Sequence, residues 1–322
     1  MKKDWIPWLT AVAIAVVYAL VVRLMFDMKV FKHFSAVMSL SFFLTIPFAM
    51  GFLTIAFAPL EKVRSRKYRA LVPWVPVGLF LWLTMIFEIE GWACWLMALP
   101  FFLLFSSIGG LVAGAWKIRR HDQKSRLKVS LVLLLPFFAS PLEKLLPLLP
   151  ARYEAYTYMD VRAPAATIWA NVVRVSAIPE SADHGPLTRL LGFPRPVRAE
   201  LNYAGVGGRR QAIFSKGLVF EEVVREYDDQ KRMVFSIKAD PHAIPSTTMD
   251  KHVVIGGDYF DVLDGTYTLE RIADSVYRLR LYSHFTLRTN FNFYASWWAG
   301  LIMKDIQNNI LQVIKTRCEG KL

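Results

Sequence analysis

The chain has 322 residues, 54% hydrophobic and only 20% charged, with two cysteines, which excludes a disordered chain, a fibrous repeat, a disulfide-stapled mini-protein and a purely cytosolic enzyme. Its formal net charge is +13, but residues 1–150 hold 17 Lys and Arg against 7 Asp and Glu, while residues 151–322 hold 22 against 19. The basicity therefore belongs to loops between apolar runs, where membrane topology explains it, and no nucleic-acid partner is expected.

Five apolar segments, 5–22, 35–60, 71–87, 92–116 and 129–149, each approach the ~20 residues that a helix needs to cross a bilayer. Met1-Lys2-Lys3 precedes the first without a cleavage site after it, so the segment reads as a retained anchor. Lys62, Arg64, Arg66, Lys67 and Arg69 flank one connection, and Lys117, Arg119, Arg120, Lys124, Arg126 and Lys128 another; both belong in the cytoplasm, with the amino terminus. The hairpin with Glu88 and Glu90 then lies outside, as does the loop with Arg23, Lys29 and Lys32. Glu143 and Lys144 interrupt the fifth segment. If it spans, as its length favours, this pair sits near the outer interface and the second half is extracytoplasmic, periplasmic in a Gram-negative cell; if it lies in the interface, that half stays in the cytoplasm. Pro47, Pro73, Pro76, Pro100, Pro136 and Pro141 read as kinks, because no mid-span charge or inverted repeat accompanies them. Small residues from Ser106 to Gly114 suit close helix packing or a homo-oligomer formed through the spans.

After Pro150 the pattern changes. A strand is predicted over 153–162, helices over 165–175 and 186–191, strands over 197–203, 210–215, 218–227, 232–238, 265–272 and 276–286, and a long helix over 293–318. Asp228-Asp229-Gln230 and Ala273-Asp274-Ser275 have turn chemistry, so antiparallel hairpins are expected.

Three stretches carry a resemblance: Val161-Arg162-Ala163-Pro164-Ala165-Ala166-Thr167-Ile168-Trp169, Asp264-Gly265-Thr266-Tyr267-Thr268-Leu269, and the helix from Ile306 to Lys315. With the element order, they make residues 151–322 similar to the START-like or SRPBCC superfamily, which includes polyketide cyclases and lipid-transfer domains. The resemblance implies an α+β helix-grip fold, a curved antiparallel sheet around the long carboxy-terminal helix, enclosing a cavity for an apolar ligand. The whole chain is thus expected to be a membrane helical bundle in residues 1–149 followed by this domain.

Leu279, Leu281, Ser283 and Phe285 alternate with Arg278, Arg280, Tyr282 and His284, and Met233, Phe235 and Ile237 alternate with Val234, Ser236 and Lys238. With Trp298 and Ile302 on the long helix these are the candidate pocket residues, and filling a core is the alternative for each. Phe291, Phe293, Tyr294 and Trp297, beside Trp298, gather at the start of that helix. They are candidates for a membrane-facing mouth, with core packing again the alternative.

No catalytic constellation, metal site or cofactor is read. His184, His242, His252 and His284 lack metal spacing, Asp240 and Asp250 notwithstanding; no G-x-S-x-G elbow occurs; and Gly205-Val206-Gly207-Gly208 reads as a turn rather than a phosphate loop. Glu221, Glu222 and Arg225 would serve as an acid or ion pair inside a cavity, but a solvated pair is expected. Cys94 and Cys318 supply no disulfide framework, a bond between them being the remote alternative. The expected function is a membrane protein whose START-like domain binds a lipid or isoprenoid-like molecule for transfer or sensing. The alternatives are a cyclase or hydrolase, which needs a buried polar pair in the pocket with perturbed titration, and a docking protein with a filled cavity.

Overall fold

The structure is a computed structural model that describes residues 5–28, 39–119, 126–145, 150–239, 257 and 259–320. Lys2, Lys3, Lys29, Lys32, Arg120, Lys124, Asp240, His242, Asp250, His252 and the ends of two expected segments, 35–38 and 146–149, lie outside them. The chain divides into two compact units, Met1–Leu148 and Leu149–Leu322.

The first unit is helical: α1 (Trp5–Asp27), α2 (Leu40–Ala56), α3 (Leu60–Val63), α4 (Arg66–Leu71), α5 (Trp74–Ile86), α6 (Trp92–Arg119) and α7 (Arg126–Lys144). Three stretches, Ile6–Asp27, Arg66–Ile86 and Trp92–Arg119, are long and apolar enough to cross a membrane, whereas Leu40–Ala56 and Val129–Glu143 are shorter apolar helices. The second expected segment shortens because its helix has definite ends. The Ser39 hydroxyl accepts from the Phe42 N–H at 3.1 Å, and the Glu143 carboxylate accepts from the Leu40 and Ser41 N–H groups at 2.7 Å each. At the other end Lys117 donates to the carbonyls of Ala56 at 2.7 Å and Ala58 at 2.5 Å. Charges on α7 and α6 thereby satisfy the backbone groups that α2 leaves open at both termini.

Small residues bring α2 against α6. A Cβ on Gly51 would stand 1.8 Å from the Ser106 carbonyl oxygen, and one on Gly109 would stand 2.0 Å from that of Phe48. Gly110 and Gly114 likewise face Arg69. The stretch from Ser106 to Gly114 is therefore engaged within the unit. One expectation is corrected here. Arg23 belongs to α1 rather than to a loop, is fully buried, and donates from Nε to Glu90 Oε1 at 2.5 Å. The apolar bundle thus contains a charge pair, which burial permits because each partner meets the opposite charge.

The second unit runs β1 (Ala151–Arg162), α8 (Ala165–Val173), α9 (Pro186–Leu190), β2 (Pro196–Leu201), β3 (Arg209–Phe214), β4 (Val219–Asp228), β5 (Arg232–Ala239), β6 (Phe260–Ala273), β7 (Val276–Leu287) and α10 (Asn292–Cys318). This is the order read from the sequence. The strands form one antiparallel sheet, β1-β7-β6-β5-β4-β3-β2, curled against α10. Gln230 and Ser275 close two hairpins with φ of 59° and 57°, in the left-handed region that tight turns need. β6 is longer than expected because it accompanies β7 along nearly its whole length, bulging between Val262 and Asp264.

A buried amide fixes α10 to the sheet. The Gln307 amide nitrogen donates to the Ala155 carbonyl at 3.1 Å and the Ser283 hydroxyl at 2.9 Å, while its oxygen accepts from the Thr157 hydroxyl at 3.0 Å. On another side Asn309 donates to Asp183 at 2.7 Å, and Asp305 accepts from the Thr188 hydroxyl and N–H at 2.8 Å each. Satisfied polar groups of this kind select one rotational setting of the helix where apolar packing alone would tolerate several.

Candidate functional site

A cavity of about 120 Å³, counted as the space open to the centre of a water-sized sphere, lies between the inward face of the sheet and α10 and opens to solvent. Phe214, Phe220 and Val262 line it, with Met303, Ile306 and Ile310 from the helix. It has the usual make-up of a site for an apolar ligand.

The expected pocket residues divide. Phe235, Ile237, Leu281 and Ser283 line the cavity. Met233 and Leu279 are fully buried in a neighbouring core with Ile168, Trp169 and Leu311, and Phe285 packs with Tyr153 and Phe260. Trp298 and Ile302 are half-buried on α10, away from the cavity lining. Ile306 and Ile310, four and eight residues beyond Ile302 on the same row of the helix, do line the cavity together with Met303 and Gln307, so Trp298 and Ile302 differ from them in position along α10.

Polar residues complete the wall. Arg210 on β3 stands opposite Glu222 on β4, and Arg210 Nη1 donates to Glu222 Oε2 with both side chains at least nine-tenths buried. The solvated pair expected around Glu222 is thereby corrected: β4 alternation sends Glu221 and Arg225 outward, where Arg225 donates to the Ser236 hydroxyl at 3.1 Å, and sends Glu222 inward with Val224. The Arg210 guanidinium also interacts with the Tyr267 phenol and lies 5.6 Å from the Phe235 ring centroid. All four side chains line the cavity. Arg210 Nε has no partner among the described residues.

Burial governs the electrostatics. It pushes the Glu222 carboxyl above the ordinary carboxylate range, while the Arg210 charge pulls the other way. Burial also pushes the Tyr267 phenol up, so it keeps its proton; burial works against the Arg210 charge, but Glu222 opposite it outweighs that and holds the guanidinium charged. The wall therefore offers donors from Arg210 and Tyr267 beside an acceptor or proton carrier in Glu222. Strand parity carried the missed signal: Arg210 shares the inward register of Ala212 and Phe214, and Glu222 that of Phe220 and Val224.

The four mouth candidates lie outside the cavity lining. Phe291 is buried where α10 begins and Tyr294 is half-buried, whereas Phe293 and Trp297 are 69% and 56% exposed. Trp298 packs edge-on against Trp297, their centroids 4.9 Å apart.

Elsewhere, the His184 N–H donates to Asn309 Oδ1 at 2.8 Å. His284, on the outward face, has Nδ1 2.5 Å from Asp264 Oδ1 and Nε2 3.3 Å from Glu154 Oε2. Among the described residues no group of three His, Cys, Asp or Glu is arranged to hold a metal ion. Residues 205–208 form the turn between β2 and β3, Gly207 having φ of 85°, and both cysteines are free.

No family model and no curated protein matches the chain. Solved structures similar to it include truncated norcoclaurine synthase from Thalictrum flavum, at 12% identity over 52% of this chain and 94% of that one, with a TM-score of 0.33. The same enzyme in complex with dopamine and hydroxybenzaldehyde matches at 12% identity over 54% and 90%, with a TM-score of 0.33. Ara h 8.0201 matches at 11% identity over 53% and 99%, with a TM-score of 0.31.

Proposed function

We propose that residues 151–322 form a binding domain for a hydrophobic molecule, lipid or isoprenoid-like, attached to the membrane by residues 1–149 and serving transfer or sensing. The observation that carries this reading is the apolar cavity beneath α10, lined by Phe235, Ile237 and Leu281. The buried Arg210, Glu222 and Tyr267 refine it. An isolated ion pair in an apolar wall gains little stability over well-packed hydrophobic residues, so its position supports recognition of a ligand that carries a polar oxygen on an apolar body. The extracytoplasmic location of the domain belongs to the same proposal and follows from the basic connections of the first half.

The test is ligand-dependent protection. Full chain purified in detergent and depleted of lipid is digested by a protease with and without added membrane lipid extract. Residues 151–322 gain protection in the wild type, because a molecule that binds only the folded state stabilises it; Leu281→Trp, which fills the cavity, gains none. Equal protection of the two proteins contradicts the proposal.

A second reading is supported by the same polar set. Glu222, its proton affinity raised by burial, stands beside the donors Arg210 and Tyr267, an arrangement compatible with acid–base chemistry of the cyclase or hydrolase kind. In that case Glu222→Gln lowers turnover far more than it lowers ligand protection, whereas equal losses of the two belong to binding alone.

A further inference from the structure

We propose that the first turns of α10 are an anchor that lays the domain on the bilayer surface, a role separate from any cavity mouth and resting on the reading that residues 1–149 span a membrane. Phe293, Trp297 and Leu301 recur every fourth residue and are 69%, 56% and 38% exposed. A Cβ added at Gly300, on the same side, would meet no atom within 4 Å, and exposed Lys304 continues this side. An aromatic and aliphatic stripe ending in a lysine is the pattern of a helix lying in a membrane interface, its rings at headgroup level and its lysine reaching toward water or phosphate.

The chain path selects the bilayer as the occupant. Only six residues, 145–150, separate the apolar helix α7, which ends at Lys144, from β1, which begins at Ala151. Ala151, where the chain enters the domain, pairs with Leu287 on β7. The Leu287 carbonyl in turn accepts from the Asn292 side chain at 3.3 Å, and Asn292 is the first residue of α10. The entry point and the start of the aromatic stripe thus occupy one end of the domain. Exposed Arg288 lies between them and adds a positive charge suited to anionic headgroups.

The experiment uses the full chain in nanodiscs of equal parts phosphatidylcholine and phosphatidylglycerol. Cys94 and Cys318 are replaced by serine, and a nitroxide is placed by Trp297→Cys, Phe293→Cys, Leu301→Cys or, for comparison, Tyr158→Cys on the outward face of β1. Collisions with oxygen, which concentrates in lipid, are compared with collisions with a water-soluble nickel chelate. Labels at 293, 297 and 301 are expected to favour oxygen at least about tenfold more than the label at 158. Equal ratios overturn the anchor. So does exclusion of both reagents, which means that protein covers the stripe, or spin–spin broadening between chains, which means that a second copy does. A label at Val17→Cys, on the exposed side of α1, separates the two readings: preference for oxygen at 17 but not at 297 removes the anchor alone, whereas none at 17 removes the membrane spans as well.

Discussion

The Phe235 ring occupies the place that a side chain at Gly265 would take. The two residues are partners across β5 and β6, and a Cβ on Gly265 would stand 2.4 Å from the ring. The glycine therefore lets Phe235 lie flat along the cavity wall, where it stacks on Tyr267 at 5.9 Å and supports the Arg210 guanidinium. A position with no side chain thus shapes the polar corner of the site.

Gly265→Ala is expected to push the Phe235 ring off this setting. Overpacking of a closed core costs about 1–3 kcal/mol, and the lipid-dependent protection described above should weaken with it. Denaturant midpoints of the two proteins, followed through the β-sheet signal, check the first effect.

The Arg210 and Glu222 side chains are 4% and 6% exposed, so neither can be removed alone without stranding the other. Arg210→Met is expected to cost about 3–5 kcal/mol, and Arg210→Met with Glu222→Leu to recover most of it. Denaturant unfolding of the single and double variants measures the difference. If the double variant is no more stable than the single, the pair is not the source of the loss.

Glu143→Ala removes both carboxylate contacts to the amino end of α2, and loss of a cap of this kind costs about 1 kcal/mol. Amide exchange resolves the effect locally. It should accelerate at Leu40 and Ser41 and change less at Phe42, whose N–H is held by Ser39.

Burial pushes the Cys318 thiol above its ordinary range, only partly opposed by the Asn171 side chain and the Arg317 charge. The thiolate is the reactive form. In a Cys94→Ser protein, alkylation of Cys318 by iodoacetamide at pH 8 should therefore be slower than that of free cysteine, and its rate should rise through a midpoint displaced to higher pH. Because the fold favours the neutral thiol, this group's contribution to stability is complete below the unfolded thiol's pKa and is lost as pH rises through the folded value. Unfolding should bring the alkylation profile back to that of an ordinary thiol.

The architecture of the second unit was legible because its signals are local. Alternation marks β5 and β7, Ala163-Pro164 marks the turn into α8, and the turn residues around Gln230 and Ser275 mark the hairpins. The polar corner was less legible because it joins residues from separate strands. Arg210, Glu222 and Tyr267 come together only through the pairing of β3 with β4 and the curl that brings β6 toward them, and an arginine in an apolar register reads as surface until its partner is known. The inward face of α10 was only partly legible for a related reason: Gln307 and Asn309 are buried but polar, so a search for apolar stripes passes over them. In the first unit, Arg23 and Glu90 are 67 residues apart, and each looks like a loop charge until the helices bring them together.

The central claim is that the cavity holds an apolar molecule. It is tested most directly by extracting purified full-length protein and its Leu281→Trp variant with organic solvent and comparing the bound small molecules by mass spectrometry. The account predicts one apolar, oxygen-bearing compound in near-stoichiometric amount with the wild type, and its loss from an equally well folded variant. The same compounds in the same amounts from both proteins, or none from either, would contradict it.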